Sequence, residues 1–175
     1  AYRAAPRDYD SVKASWRCGS GRLNCKWMAR AGRLQKLTDS KLRVPSWPAA
    51  LHELSALLGK AAAGSVALIA SARQTNEELY LLAQLAKKLG AITDSVPRTG
   101  EADKLLVAAD KNPNTNGAIF TGIVDCHAEM GRNFPKIADG IRAGKIKTLI
   151  VFGEDVTKHG LSPDLLAKPH PPLGR

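Results

Sequence analysis

At 175 residues, 44% of them hydrophobic and 24% charged, the chain is long enough for one domain with a buried core and too apolar for wholesale disorder. Three cysteines without regular spacing do not make a disulfide framework, and no apolar run approaches the roughly 20 residues that span a bilayer. The net charge of +10 is uneven: residues 1–36 hold nine Lys and Arg against Asp8 and Asp10, giving +7, and the rest carries only about +3.

A basic arm on a nearly neutral domain suits an acidic partner, whether nucleic acid, an acidic protein face or an anionic cofactor. The cysteine usage fits a reducing compartment, and the opening AYRAAPRDYD has no secretory apolar stretch. The chain begins without Met and is expected to be an internal piece of something longer.

Residues 1–44 read as an irregular lead-in, with a short helical turn around Leu23–Ala31. Ser46 and Pro48 then open a helix with an apolar stripe of Ala50, Leu51, Leu54, Leu57 and Leu58, stopping at Gly59. Ser65–Ala70 (SVALIA) has the pattern of a buried parallel strand. Thr75-Asn-Glu-Glu78 is a capping box, and its helix places Leu79, Leu82, Leu85, Ala86 and Leu89 on one side before Gly90. Ala91–Val96 completes a βαβ unit. Farther on, the sequence suggests a short helix at 102–109, a turn at Asn112-Pro113-Asn114 and a strand at Ala118–Val124 interrupted by Gly122. Asn133 and Pro135 open another helix that turns Ile137, Ala138 and Ile141 inward and ends at Gly144. Lys147–Phe152 is a second buried strand, with Gly153-Glu154-Asp155 at its carboxyl end. The fold class is therefore α/β, a layered parallel-sheet domain behind an irregular basic N-terminal arm.

Candidate chemistry is sparse. Cys18 stands among Trp16, Arg17, Gly19, Gly21 and Arg22. The glycines would let backbone amides approach a metal-bound sulfur, and the arginines would offset the charge of a thiolate cluster. A closed site needs about four ligands, and Cys25 and Cys126 do not supply a CxxC pair, so Cys18 reads either as one ligand of a site shared with other sequence or as a plain cysteine in a basic arm. Gly19-Ser20-Gly21 follows no strand and lacks the phosphate-loop pattern, whereas Gly153-Glu154-Asp155 stands where open α/β sheets place ligands. Asp125-Cys126-His127-Ala128-Glu129 gathers reactive side chains without partners at metal or nucleophile spacing. His52, His159 and His170 are scattered, and no GxSxG, HExxH or kinase signature is present.

Taken in order, these segments resemble the molybdopterin-oxidoreductase superfamily, and within it the large iron–sulfur subunit of bacterial NADH-quinone oxidoreductase (complex I). The resemblance rests on Pro6-Arg7, Val12, Trp16, Cys18, Gly21-Arg22-Leu23, Arg33, Ser46-Trp47, Thr75-Asn76-Glu77-Glu78, Asp110-Lys111-Asn112-Pro113-Asn114, Gly117-Ala118, and Gly144-Lys145-Ile146-Lys147 leading to Gly153-Glu154-Asp155. The family pattern has Asp where this chain has Gly19, Asn where it has Tyr9 and Lys13, and commonly an aromatic residue at Cys25.

The resemblance implies residues 1–44 as a cluster-flanking arm, 45–165 as an incomplete α/β domain of that superfamily, and 166–175 as an unstructured tail. It implies Cys18 as the fourth ligand of a [4Fe-4S] cluster whose other three cysteines lie upstream, with molybdopterin not expected. The function so implied is part of the electron-transfer arm that carries electrons from NADH toward quinone, with a scaffold role for this segment and no catalysis by the chain alone. Its partners would be other subunits of a membrane-bound respiratory complex, through which alone it would meet NADH and quinone, on the cytoplasmic face of the inner membrane. Two alternatives stand beside it. One is a fragment of a molybdenum- or tungsten-dependent formate dehydrogenase or nitrate reductase catalytic subunit. The other is a basic module gripping nucleic acid, whose affinity would fall steeply with salt.

Overall fold

The computed structural model describes residues 46–167 except Leu106, and a few isolated positions before them. Cys18, Cys25, most of the Leu23–Ala31 turn and the tail from Lys168 lie outside the described residues.

Helix α1 (Trp47–Gly59) forms where Ser46 and Pro48 predict it, with the Ala49 amide 3.4 Å from Ser46 Oγ. It buries none of its residues: Trp47, Leu51, Leu54 and Leu57 are all about half exposed or more.

The next elements build a βαβ unit. Strand β1 (Val66–Ala70) is buried at every residue, because it is the centre of a three-stranded parallel sheet of order β2-β1-β3. Helix α2 (Asn76–Leu89) has both halves of its capping box, Glu78 N–H to Thr75 Oγ1 at 3.3 Å and Thr75 N–H to Glu78 Oε2 at 2.9 Å. Gly90 ends it in the left-handed conformation at φ 58°, which glycine adopts without the Cβ clash of other residues. Strand β2 (Ile92–Asp94) pairs Ile92 with Ala67 and Asp94 with Ile69.

The segment from Pro97 to Val124 turns at Pro113-Asn114 as expected and departs from the expectations on either side of it. The described residues among 102–109 form no helix. They are the tip of a ribbon closed by an antiparallel bridge between Thr99 and Asp110 and by Gly100 N–H to Ala109 C=O at 2.9 Å. The cause is local competition: the Asp103 carboxylate accepts from the amides of Leu105 and Val107, both at 2.8 Å, which a helix would bond differently. Ala118–Val124 is not a strand either. Helix α3 (Thr115–Phe120) occupies its first half, started by the Asn114 side chain accepting from Gly117 N–H, and Gly122 turns the chain at φ 82°.

Helix α4 (Phe134–Arg142) and strand β3 (Thr148–Phe152) lie as the sequence predicts. Strand β3 runs parallel to β1 with Val66 opposite Thr148 and Ala70 opposite Phe152. A short helix α5 (Pro163–Leu166), which the sequence pattern did not announce, follows and buries Leu165.

Because strand side chains alternate, β1 feeds two cores. Ala67 and Ile69 join Phe134, Ile137, Ala138 and Ile141 of α4, with Val156, Leu161 and Leu165. Leu68 and Ala70 join Leu79, Leu82 and Ala86 of α2, with Ala118, Ile123 and Met130. Leu68, Ile69 and Leu79 are fully buried, and each such side chain contributes about 1.5–3 kcal/mol by leaving water. The result is an α/β domain with helices on both faces of a small parallel sheet. Among the described residues, no helix is long and apolar enough to cross a membrane.

Candidate functional site

In a parallel sheet all strands deliver their carboxyl ends to one edge, where loops hold ligands in open α/β proteins. Here that edge receives Ser71 after β1, Ser95 through Arg98 after β2, and Gly153 through Asp155 after β3.

The principal group is an ion pair. Arg98 Nη1 lies 2.8 Å from Glu154 Oε1 and Nη2 lies 2.5 Å from Oε2, a bidentate pair in which the Glu154 side chain is 1% exposed. Burial alone would push the Glu154 carboxyl up. Hydrogen bonds from Arg98 and Ser71, and the charges of Arg98 and Arg73, outweigh that and hold it below the ordinary range. Arg98 Nη1 also reaches Asn112 Oδ1 at 2.9 Å, and Asn112 Nδ2 donates to Val96 C=O at 3.0 Å.

A second knot joins the loop after β1 to the start of α3. Asn114 N–H donates to Ala72 C=O at 2.9 Å, and its side-chain amide donates to Gln74 C=O at 2.8 Å and Asn76 Oδ1 at 3.0 Å. The space beside these groups exists only because residue 117 is glycine. A Cβ there would stand 2.3 Å from Asn76 Oδ1 and 2.4 Å from Asn114 Nδ2.

Three stretches noted in the sequence, Thr75–Glu78, Asp110–Asn114 and Gly153–Asp155, are thus brought together by hydrogen bonds made largely among themselves and through Arg98. The partly exposed Arg98 cation is matched by the buried Glu154 carboxylate, and the α2 N-terminus already has Thr75 and Glu78 on its amides. Among the described residues, this edge spends these polar groups on one another, which suits a lock between loops better than a cradle for an anion.

A second buried carboxylate stands nearby. Asp94, 0% exposed, accepts from Ser95 N–H and Gly131 N–H at 2.7 Å and from Asn133 N–H at 2.8 Å. It serves the amides at the start of α4 in place of the expected Asn133 cap, whose own side chain donates instead to Thr93 C=O at 2.9 Å. Burial raises the Asp94 carboxyl above its usual range, against the pull of those backbone hydrogen bonds. Next to it, Thr93, Asp125, Glu129, Arg132, Asn133 and Lys136 line a polar cleft of about 190 Å³, in which Arg132 pairs with Glu129.

The DCHAE stretch remains at the surface. Cys126 is an exposed free thiol, and His127 Nε2 lies 3.5 Å from Asp110 Oδ2 with 59% of its side chain exposed. Among the described residues, no three His, Cys, Asp or Glu side chains are grouped to hold a metal ion. Cys18, the predicted cluster ligand, lies outside those residues.

Arg98 and Asp94 were missed in the sequence. Asp94 carries no local signal, because its partners at the start of α4, Gly131 and Asn133, stand almost forty positions away. Arg98 follows Pro97 in an irregular stretch, and its meaning depends on a carboxylate from beyond another strand. Compared with protein-family models, curated proteins and solved structures, the chain has no match.

Proposed function

We propose that this chain is a structural segment of the electron-transfer arm of an NADH-quinone oxidoreductase, flanking an iron–sulfur cluster to which Cys18 gives one thiolate. The observation that carries the reading is the ordered series of motif residues from Pro6 to Asp155, with Cys18 ahead of Gly21-Arg22-Leu23. The interlocked carboxyl edge supports the scaffold role, since the motif residues within the described domain hold loops to one another. A bound cluster supplies one-electron transfer. The chain's part is to place a thiolate, surround it with the positive charge of Arg17 and Arg22, and join a packed domain to neighbouring subunits. Such an assembly would hold the chain at a membrane surface through those subunits.

The test is reconstitution with iron and sulfide of a protein carrying the additional upstream cysteines. Cys18→Ala is expected to lower bound iron and remove the cluster's visible absorption. Unchanged iron content and spectrum in that variant would reject the ligand role.

A further inference from the structure

The edge of the sheet opposite the candidate site collects the amino ends of the strands and the turns that feed them. Three turns meet there: residues 60–65 before β1, 87–91 before β2 and 142–147 before β3. They touch one another. A Cβ on Gly90 would lie 3.7 Å from the Gly64 nitrogen and 3.9 Å from Ala63 Cβ, and Lys147 N–H donates to Ser65 C=O at 2.9 Å.

This edge is strongly basic. Lys60, Lys87, Lys88, Lys145 and Lys147 are exposed, and among the described residues none of them is ion-paired. The three turns contain no Asp or Glu, and the nearby Asp139 carboxylate is taken by Arg142 at 2.7 Å. Lys87 and Lys88 suit the negative end of α2, in whose last turn they stand. Lys145 and Lys147 follow Gly144 and belong to no helix, so helix electrostatics does not account for the cluster. The chain enters the edge from α1, with Lys60 N–H on Leu57 C=O at 3.3 Å and Ala61 N–H on Leu58 C=O at 3.2 Å. Just ahead of that turn, Leu54 and Leu57 are 47% and 50% exposed on one face of the helix.

We propose that this amino edge docks on an anionic lipid bilayer, the lysines over the headgroups and Leu54 and Leu57 in the interfacial layer. The residue types choose among acidic partners. Helices α2 and α4 turn carbonyls rather than amides toward this edge, and the three turns hold no aromatic ring, so neither a phosphate cradle nor a base-stacking platform is formed. Lysine is depleted from protein–protein interfaces. A charged bilayer attracts each flexible ammonium separately, and exposed leucines add apolar insertion. With 13 residues, α1 is too short to span, so the contact is peripheral. The inference does not depend on the electron-transfer reading, because it uses neither Cys18 nor the basic arm.

The test is co-sedimentation of the full chain with vesicles of phosphatidylglycerol and phosphatidylcholine, against phosphatidylcholine alone. Binding is expected to the anionic vesicles only, and to weaken with salt. The charge of residues 1–36 could give that result unaided, so variants decide. Lys87→Gln with Lys147→Gln should weaken binding about thirtyfold, roughly fivefold for each lysine. Lys104→Gln with Lys136→Gln removes the same charge beyond the carboxyl ends of the strands and should cost less than about threefold. All four lysines are exposed, so both pairs should keep the parent's circular dichroism. Leu54→Ser with Leu57→Ser should weaken binding about tenfold or more. Equal losses from the two lysine pairs, equal binding to neutral vesicles, or serine variants that bind like the parent would each overturn the proposal. So would retention of duplex DNA, in place of vesicles, that depends on Lys87 and Lys147.

Discussion

Helices α1 and α2 carry the same kind of message in sequence and meet different fates. Both begin on a hydroxyl cap and carry a leucine stripe, and both stop near a glycine. Helix α2 buries Leu79, Leu82 and Ala86 against β1, while α1 leaves Leu51, Leu54 and Leu57 about half exposed. The difference teaches that periodicity states which face could be buried and is silent on whether a surface exists to bury it. Helix α2 has that surface because the βαβ connection returns it over the strand it left.

The contrast can be broken most strongly at Leu79. With that side chain 0% exposed, Leu79→Ala should cost about 2–5 kcal/mol, including the cavity it leaves, as read by urea denaturation. Next comes the lock at the carboxyl edge of the sheet. Arg98→Ala strands the Glu154 carboxylate and should cost on the order of 3 kcal/mol at neutral pH. In the intact chain the lowered Glu154 carboxyl gives stability that is present above its ordinary titration range and lost as pH falls through its folded value. In the variant the lowering by Arg98 is lost, so the gap between the two proteins should narrow on acidification. Unfolding curves at several pH values check this.

Removing the cap hydroxyl with Thr75→Ala should cost about 1 kcal/mol, since the Glu78 amide loses its acceptor. The smallest effect belongs to α1. Leu54→Ala, at a site 47% exposed, should change stability by no more than about 0.5 kcal/mol. A loss of about 2 kcal/mol or more, by contrast, would mean that α1 has a covering surface after all.

The parts of the fold legible in sequence are those whose signals are local. Strands β1 and β3 are short apolar runs between turn residues, α2 has its box and its glycine, and α4 has Pro135 and an inward stripe. The misread parts are governed by side chains reaching across the chain. Ala118-Ile-Phe-Thr-Gly-Ile-Val124 has the composition of a strand, yet Asn114, itself tied to Ala72 and Gln74, starts a helix there. The stretch at 102–109 yields to the Asp103 carboxylate, a competition that helix propensity does not register. At the carboxyl edge, Glu154 could be picked out by its place after a strand. Its partner Arg98 could not, because no pattern within one segment announces a pair formed between two.

The central pairing also governs the order in which the chain can fold. The α2–β2 unit is assembled from neighbours in sequence, but β1 gains its second flank only when Val66 finds Thr148. Closing so long a loop has an entropic cost that must be met before the contact returns anything, so docking of β3 is a natural slow step. During synthesis, β1 must wait with one side unprotected until β3 has left the ribosome, and in that interval a chaperone has most to guard.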